Sequence, residues 1–133
     1  MKILVVDDEA PVRELLCEIL AEEGCLTARA SGGAEALALF DTGKFDAVFT
    51  DIGMPGMSGW ELSRAVRERD TDIPLAVITG WGEAVSDTDR TAAHVNWVLT
   101  KPFTLAQISQ IVSEVARLAE VPTDSAPLAA LVA

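Results

Sequence analysis

The stretch "ILVVDDE" at residues 3–9 joins four consecutive apolar residues directly to three acids. An unbroken apolar run of this length is typical of a parallel strand that is buried on both faces. Adjacent carboxylates repel each other and lose hydration where they are partly enclosed, so their place at a strand end requires a reason. Either they form a solvated turn before a helix, or their oxygens bind a divalent cation. The stretch by itself leaves both interpretations open.

Four further apolar runs along the chain have the length of strands. Together with the first run, the predicted strands cover residues 3–6, 26–30, 46–50, 74–79 and 95–100. The first, third and fourth are mostly apolar at both alternating positions, which predicts strands covered on both faces.

Amphipathic spacing predicts helices between these strands, at 11–23, 34–40 and 60–69, with a last helix capped by Thr104 and Gln107. The predicted apolar stripes are Val12, Leu15, Leu16, Ile19 and Leu20 in the first helix, and Leu105, Ile108, Val112 and Val115 in the last. The polar segment 82–94 lacks a clear stripe and is predicted to form a short or mobile helix. The segment 121–133 contains two prolines and is predicted to be a linker or a loosely docked tail.

The alternation of strand and helix predicts an α/β fold. We expect a doubly wound, flavodoxin-like parallel sheet of five strands in the order 2-1-3-4-5, flanked by five helices and formed by residues 1–120. Ligands bind such sheets beyond the carboxyl ends of the strands, where the strand order reverses. The predicted strand ends place Asp7, Asp8, Asp51, Thr79 and Lys101 at that rim.

Three carboxylates beside one lysine do not balance in charge, so this rim is a poor structural ion-pair cluster. A bound Mg²⁺ would restore the balance, because it takes one or two carboxylates and fills its other positions with water or phosphate oxygens. An ionised aspartate is also a competent nucleophile toward a phosphoryl group. Lys101 and Thr79 could neutralise and orient the phosphoryl oxygens. The rim is therefore predicted to accept a phosphoryl group.

Four motifs lie in order on these predicted strand ends: "VVDDE", "DIGMPGMSGWEL", "ITG" and "LTKPF". In their order and spacing, over about residues 2–119, they resemble the receiver domains of two-component response regulators. The resemblance implies that Asp51 accepts a phosphoryl group from the phosphohistidine of a sensor histidine kinase or phosphotransfer protein. It also implies that Asp8, Asp51 and the backbone carbonyl of Gly53 bind Mg²⁺, while Asp7 acts mainly through a bound water.

The same resemblance implies that Thr79 and Lys101 hold the phosphoryl oxygens. It also implies a cis peptide bond between Lys101 and Pro102. The loop after Asp51 would be shaped by Pro55, Gly56 and Gly59. In the family, phosphorylation re-orders the surface of the fourth helix, the fifth strand and the fifth helix, where an output partner or a second copy of the chain could dock. No output domain is expected after residue 120.

Two departures from the family pattern concern how the site signals. The family usually has Tyr or Phe three residues before the lysine, where this chain has Val98. The neighbouring Trp97 points to the opposite face of a strand and does not simply replace it. Gly53 and Trp81 occupy positions that in the family influence how water reaches the phosphoryl group, and we expect Trp81 to shield it partly.

Composition excludes several other classes of protein. The formal charge of −11 argues against direct binding of nucleic acid or an anionic membrane. The opening apolar run is too short for a signal peptide, which predicts a cytoplasmic protein.

Cys17 and Cys25 are expected to be reduced thiols, and His94 a solvated side chain. Trp60 and Trp97 are expected to be packing residues or interface anchors.

Three functions are compatible with an acidic rim of this kind. The leading one is a switch that phosphorylates itself and changes its surface for a partner, without turnover of a separate substrate. The alternative is a constitutive receiver-like interaction module that is not phosphorylated, which the missing aromatic favours and the intact acids oppose. A Mg²⁺-dependent phosphohydrolase similar to the haloacid dehalogenase group would carry a DxD pattern after the first strand, where this chain has DDE.

Overall fold

Five parallel strands form one sheet in the order β2-β1-β3-β4-β5, as predicted. The computed structural model describes residues 1–80 and 87–120. The strands are β1 (Lys2–Val6), β2 (Leu26–Ala30), β3 (Ala47–Asp51), β4 (Leu75–Thr79) and β5 (Trp97–Thr100). The helices are α1 (Ala10–Glu22), α2 (Gly33–Thr42), α3 (Gly59–Arg69), α4 (Asp87–Ala93) and α5 (Leu105–Glu120).

The sheet separates two apolar cores, because alternate residues of each strand point to opposite faces. Ile3, Val5 and Phe49 belong to the core that contains the buried residues of α1 and α5. Leu4 and Val48 belong to the other core, which contains buried residues of α2 and α3. The central strands are therefore fixed from both sides, as their unbroken apolar sequences predict.

Both predicted helical stripes contain one leucine that the structure places outside the core. Leu15 of α1 is 50% exposed, because the buried face of that helix is rotated toward Cys17. Leu105 of α5 is 61% exposed, since it lies in the first turn, one turn before Ile108 reaches the core. The capping box of α5 is confirmed: Thr104 and Gln107 each donate a backbone N–H to the other's side chain.

The segment predicted to be a short helix contains α4, which spans seven residues. The helix ends at His94, whose φ of 49° lies in the left-handed region. The His94 N–H donates to the Thr91 carbonyl, and the Val95 N–H donates to the Arg90 carbonyl. This arrangement matches a Schellman C-cap. It also explains why β5 begins two residues later than predicted, since Val95 is still part of the helix end.

Other predictions concern single side chains. Cys17 and Cys25 are buried and free, and Trp60 is a packing residue at 6% exposure. The His94 side chain is exposed, as expected. The prediction for Trp81 and that for the tail at 121–133 lie outside the described residues. Within the described ranges, no helix is both long enough and apolar enough to cross a bilayer.

The left-handed backbone at His94 gives a prediction for stability. Replacing His94 by Gly should raise the free energy of unfolding by up to about 1 kcal/mol, because glycine adopts positive φ without a Cβ clash. Replacing it by Val should lower the free energy of unfolding, since a β-branched residue is strongly disfavoured there. Urea unfolding of the three proteins measures both changes, and a glycine variant less stable than the valine variant would contradict the assignment.

Candidate functional site

Three predicted carboxylates meet at the carboxyl rim of the sheet. Asp7 follows β1, Asp51 ends β3, and these strands are paired in register through Val6 and Thr50. Asp7 and Asp51 are 2% and 3% exposed, whereas Asp8 is exposed. One oxygen from each of the three carboxylates lies within 4.8 Å of the others. This donor set fits a hard divalent cation such as Mg²⁺.

Backbone contacts hold Asp7 in this place. Its N–H donates to the Ala30 carbonyl at 3.1 Å, and its carboxylate accepts the Glu9 N–H at 2.9 Å. Burial raises the pKa of the Asp7 carboxyl, although the Glu9 N–H and Lys101 act in the opposite direction. The nearby charges of Asp8 and Glu9 add to the rise in the pKa. The negative form of Asp7 is therefore disfavoured without a cation.

Lys101 supplies the positive charge at the rim. Its Nζ lies 3.4 Å from Asp51 Oδ1 and 3.6 Å from Asp7 Oδ2. Burial by itself would lower the pKa of Lys101, but Asp51 and Asp7 outweigh it and the pKa is raised. The Lys101–Pro102 peptide bond is cis, as the resemblance implied. The ammonium thus pairs with two of the three carboxylates, Asp7 and Asp51, which leaves the negative charge in excess.

Thr79 reaches the rim at the end of β4. Its residue is 2% exposed, and its carbonyl accepts the Lys101 N–H at 2.8 Å. The register pairs Asp51 with Ile78, so Thr79 lies one residue beyond the β4 partner of Asp51. The structure therefore brings Thr79 and Lys101 to the same rim as the acids, by strand pairing alone. Gly53 follows in the exposed part of the loop after β3.

Gly59 allows α3 to approach the end of β3. A Cβ placed on Gly59 would lie 2.1 Å from the Asp51 carbonyl oxygen and 2.8 Å from Ile52 Cα. The Gly59 N–H donates to the Ile52 carbonyl at 2.9 Å. Ser58 and Glu61 form a capping box that starts the helix at this point. Gly59 was expected to shape the loop, and steric exclusion at the Asp51 backbone is the reason.

Arg13 makes a contact with the site that the sequence does not predict. Arg13 lies outside the predicted apolar stripe of α1, yet its side chain is only 19% exposed. Its Nη1 donates to the Asp7 carbonyl at 2.9 Å. The available signal was its position one helical turn after the acids, but the spacing alone does not show that a long side chain folds back toward them.

Val98 stands where the family usually has an aromatic residue. Val98 is half-buried against the cluster that contains Trp60 and Val77. Trp97 is half-buried against the opposite core, and its Nε1 donates to Glu114 Oε2 at 2.6 Å. Trp97 is therefore attached to α5, as expected for a neighbour that points to the other face.

Comparison with known proteins agrees with this geometry. Residues 3–113 match the family described as the response regulator receiver domain. The chain belongs to this family. It is 36% identical to the chemotaxis protein CheY of Pseudomonas aeruginosa over 118 residues, which are 86% of this chain and 95% of that protein. It is 33% identical to the transcriptional regulatory protein TcrA of Mycobacterium tuberculosis over 125 residues, 92% of this chain but 48% of TcrA.

Solved receiver structures have the same fold. The response regulator TrrA of Thermotoga maritima, in complex with Mg(2+)-BeF, superimposes with a TM-score of 0.79 and 37% identity, covering 86% of this chain and 97% of TrrA. The receiver domain of AraT from Geobacillus stearothermophilus gives a TM-score of 0.80 and 32% identity, over 90% of this chain and 95% of that domain. Membership of the receiver family places the chain in two-component signalling.

The close approach at Gly59 predicts a large effect of a single methyl group. Gly59→Ala should lower the free energy of unfolding by on the order of 2 kcal/mol, because the clash is with backbone atoms that have no alternative rotamer. Gly32→Ala is the control, since a Cβ there has no neighbour within 4 Å. Urea unfolding measures both variants, and equal losses would rule out the steric explanation.

The burial of Asp7 predicts a dependence of stability on pH. Without divalent cations, Asp7→Asn should be more stable than the native protein near neutral pH, because burial disfavours the Asp7 charge. Because the Asp7 pKa is raised, the folded protein binds a proton on Asp7 more strongly than the unfolded chain does. The free energy of unfolding of the native protein therefore rises relative to that of the variant as the pH falls through the raised pKa. Urea unfolding at neutral and mildly acidic pH should show the difference in the free energy of unfolding between the two proteins becoming smaller, and an unchanged difference would contradict the prediction.

Proposed function

We propose that this receiver domain is a phosphorylation-activated switch in which Asp51 is the phosphoacceptor. The observation that carries the proposal is the cluster of Asp7, Asp8 and Asp51 with the Lys101 ammonium 3.4 Å from Asp51 Oδ1. An excess of negative charge in a partly buried site favours the binding of a cation. A carboxylate beside that cation is a suitable nucleophile for phosphoryl transfer.

Each residue of the site has a proposed role. A carboxylate oxygen of Asp51 attacks the phosphorus, and the new O–P bond forms as the N–P bond of a phosphohistidine breaks. The electron pair of the broken bond stays on the imidazole nitrogen. Lys101 and the Thr79 hydroxyl hold the phosphoryl oxygens, which stabilises the charge they carry in the transition state.

The acids and one backbone group would hold the metal ion. Asp8, Asp51 and the Gly53 carbonyl are the proposed direct ligands of Mg²⁺, with Asp7 acting through a water. When bound, Mg²⁺ supplies positive charge that lowers the repulsion between the incoming phosphoryl group and the acids. The carboxylate spacing within 4.8 Å supports this assignment.

The phosphoryl donor would be a sensor histidine kinase or a phosphotransfer protein. The chain would catalyse its own phosphorylation and dephosphorylation and have no separate substrate. Residues 1–120 would form the signalling unit, which presents α4, β5 and α5 to an output partner or to a second copy of the chain. Val98 in place of the usual aromatic is the one feature that favours the alternative, a constitutive interaction module.

The acceptor chemistry can be tested by mass. The native protein incubated with Mg²⁺ and acetyl phosphate should gain a single phosphoryl adduct, because Asp51 is the proposed nucleophile. Asp51→Asn should gain none, and neither should the native protein in EDTA. Asp46→Asn is the matched control, since Asp46 is an exposed acid at the other end of the same strand, and it should be phosphorylated like the native protein.

Two outcomes would contradict the proposal. An adduct that persists in Asp51→Asn would move the acceptor to another residue. If no adduct forms with acetyl phosphate or with phosphorylated kinases, while Mg²⁺ still raises the thermal midpoint, the constitutive module replaces the switch.

A further inference from the structure

Arg67 of α3 is a buried arginine away from the acid rim. The residue is 9% exposed. Its guanidinium donates five hydrogen bonds to oxygen atoms of other residues. The acceptors are the carbonyls of Asp70, Ile73, Ala93 and His94 and the side-chain amide oxygen of Asn96, at distances from 2.6 to 3.3 Å. All five N–H groups of an arginine are thus used.

These contacts join α3 to three other segments. Two acceptors, Ala93 and His94, form the C-terminal end of α4. A third, the Asn96 side chain, also accepts the Leu75 N–H and so joins the start of β4 to the start of β5. Burial lowers the pKa of Arg67, and the nearby Asp70 and Asp72 oppose that change. The hydrogen bonds to the Ala93 and Ile73 carbonyls are buried, and leaving either carbonyl unsatisfied would cost about 1–3 kcal/mol.

The other end of α4 is attached to α3 in a different way. Arg64 Nη1 lies 3.0 Å from Asp89 Oδ1, and the two side chains are 41% and 37% exposed. An exposed ion pair of this kind contributes little to stability, typically less than about 1 kcal/mol. Breaking this ion pair by itself therefore costs less free energy than breaking the buried Arg67 contacts.

The C-terminal end of α4 is also packed against the residue that follows the acceptor. Ala93 and Val95 are buried in one cluster with Ile52, Trp60 and Val77. Ile52 is the neighbour of Asp51 in the chain, and its N–H donates to the Ile78 carbonyl. Packed side chains therefore connect the acid rim to the buried C-terminal end of α4.

We propose that Arg67 is a positioning residue that fixes the C-terminal end of α4 as a pivot, so that the helix reorients from its Asp87 end when the acid rim changes state. The anchoring role is independent of phosphorylation, whereas the reorientation rests on the proposed function. Lysine cannot replace Arg67 here, because a single ammonium has three donors at one point and cannot reach five separated acceptors.

Hydrogen exchange in the unphosphorylated protein tests the anchor. In Arg67→Lys, the amides of residues 93–97 should exchange about tenfold faster, beyond any change at the central strand amides of Val5 and Val48. Arg64→Gln is the matched control one turn earlier on α3, and it should leave residues 93–97 unchanged. A uniform increase over the whole sheet, or an equal effect of Arg64→Gln, would overturn the anchor.

The same measurement after treatment with acetyl phosphate and Mg²⁺ tests the pivot. In samples whose intact mass shows the adduct, exchange of the native protein should change near Asp87 and stay constant at residues 93–97. In Arg67→Lys the change should extend into β5. Equal changes at both ends of α4 in the native protein would overturn the pivot. A missing adduct would instead contradict the proposed function, and the unphosphorylated comparison would still decide whether Arg67 is the anchor.

Discussion

The rest of this domain must accommodate an excess of negative charge at the carboxyl rim of the sheet. Three carboxylates converge within 4.8 Å, and two of them are almost fully buried. Lys101 pairs with two of them, Asp7 and Asp51, and does not neutralise all three. Such an arrangement costs folding free energy, because desolvation and mutual repulsion both disfavour the charges. It persists because two apolar cores fix the strands that carry it, and a bound cation would offset the cost.

The ends of the strands position four residues of the proposed site. Asp7, Asp51, Thr79 and Lys101 lie at one edge of the sheet, at the ends of β1, β3, β4 and β5. The hydrogen bonds between paired strands fix the position of each residue along the strand direction. Gly59 completes this arrangement, because only a residue without a Cβ lets α3 start against the Asp51 carbonyl. The site is therefore rigid on the side of the sheet, which favours a chemistry that depends on positioning and charge rather than on acid–base catalysis.

The path from the rim to the surface differs from the usual family pattern. Val98 packs with Trp60 on the side of α4, while Trp97 is hydrogen-bonded to Glu114 on the side of α5. No aromatic side chain at position 98 is available to follow a movement of Thr79. In the pivot proposed above, Arg67 fixes the C-terminal end of α4 beside the buried cluster at Ile52, and the Asp87 end of the helix is the part that moves.

The sequence by itself indicated the strand order, because strands and helices alternate along it as in a doubly wound sheet. Its apolar patterns also indicated the two-faced burial of the central strands, and the positions of the strand ends indicated the residues at the rim. Only the tertiary structure decided that Leu15 and Leu105 are exposed, that Arg13 reaches the Asp7 carbonyl and that Arg67 joins three segments. Periodicity reports the side of a helix but not its rotation or the reach of a long side chain. Those depend on neighbours that are distant in the sequence, such as the carbonyls 26 and 27 residues from Arg67.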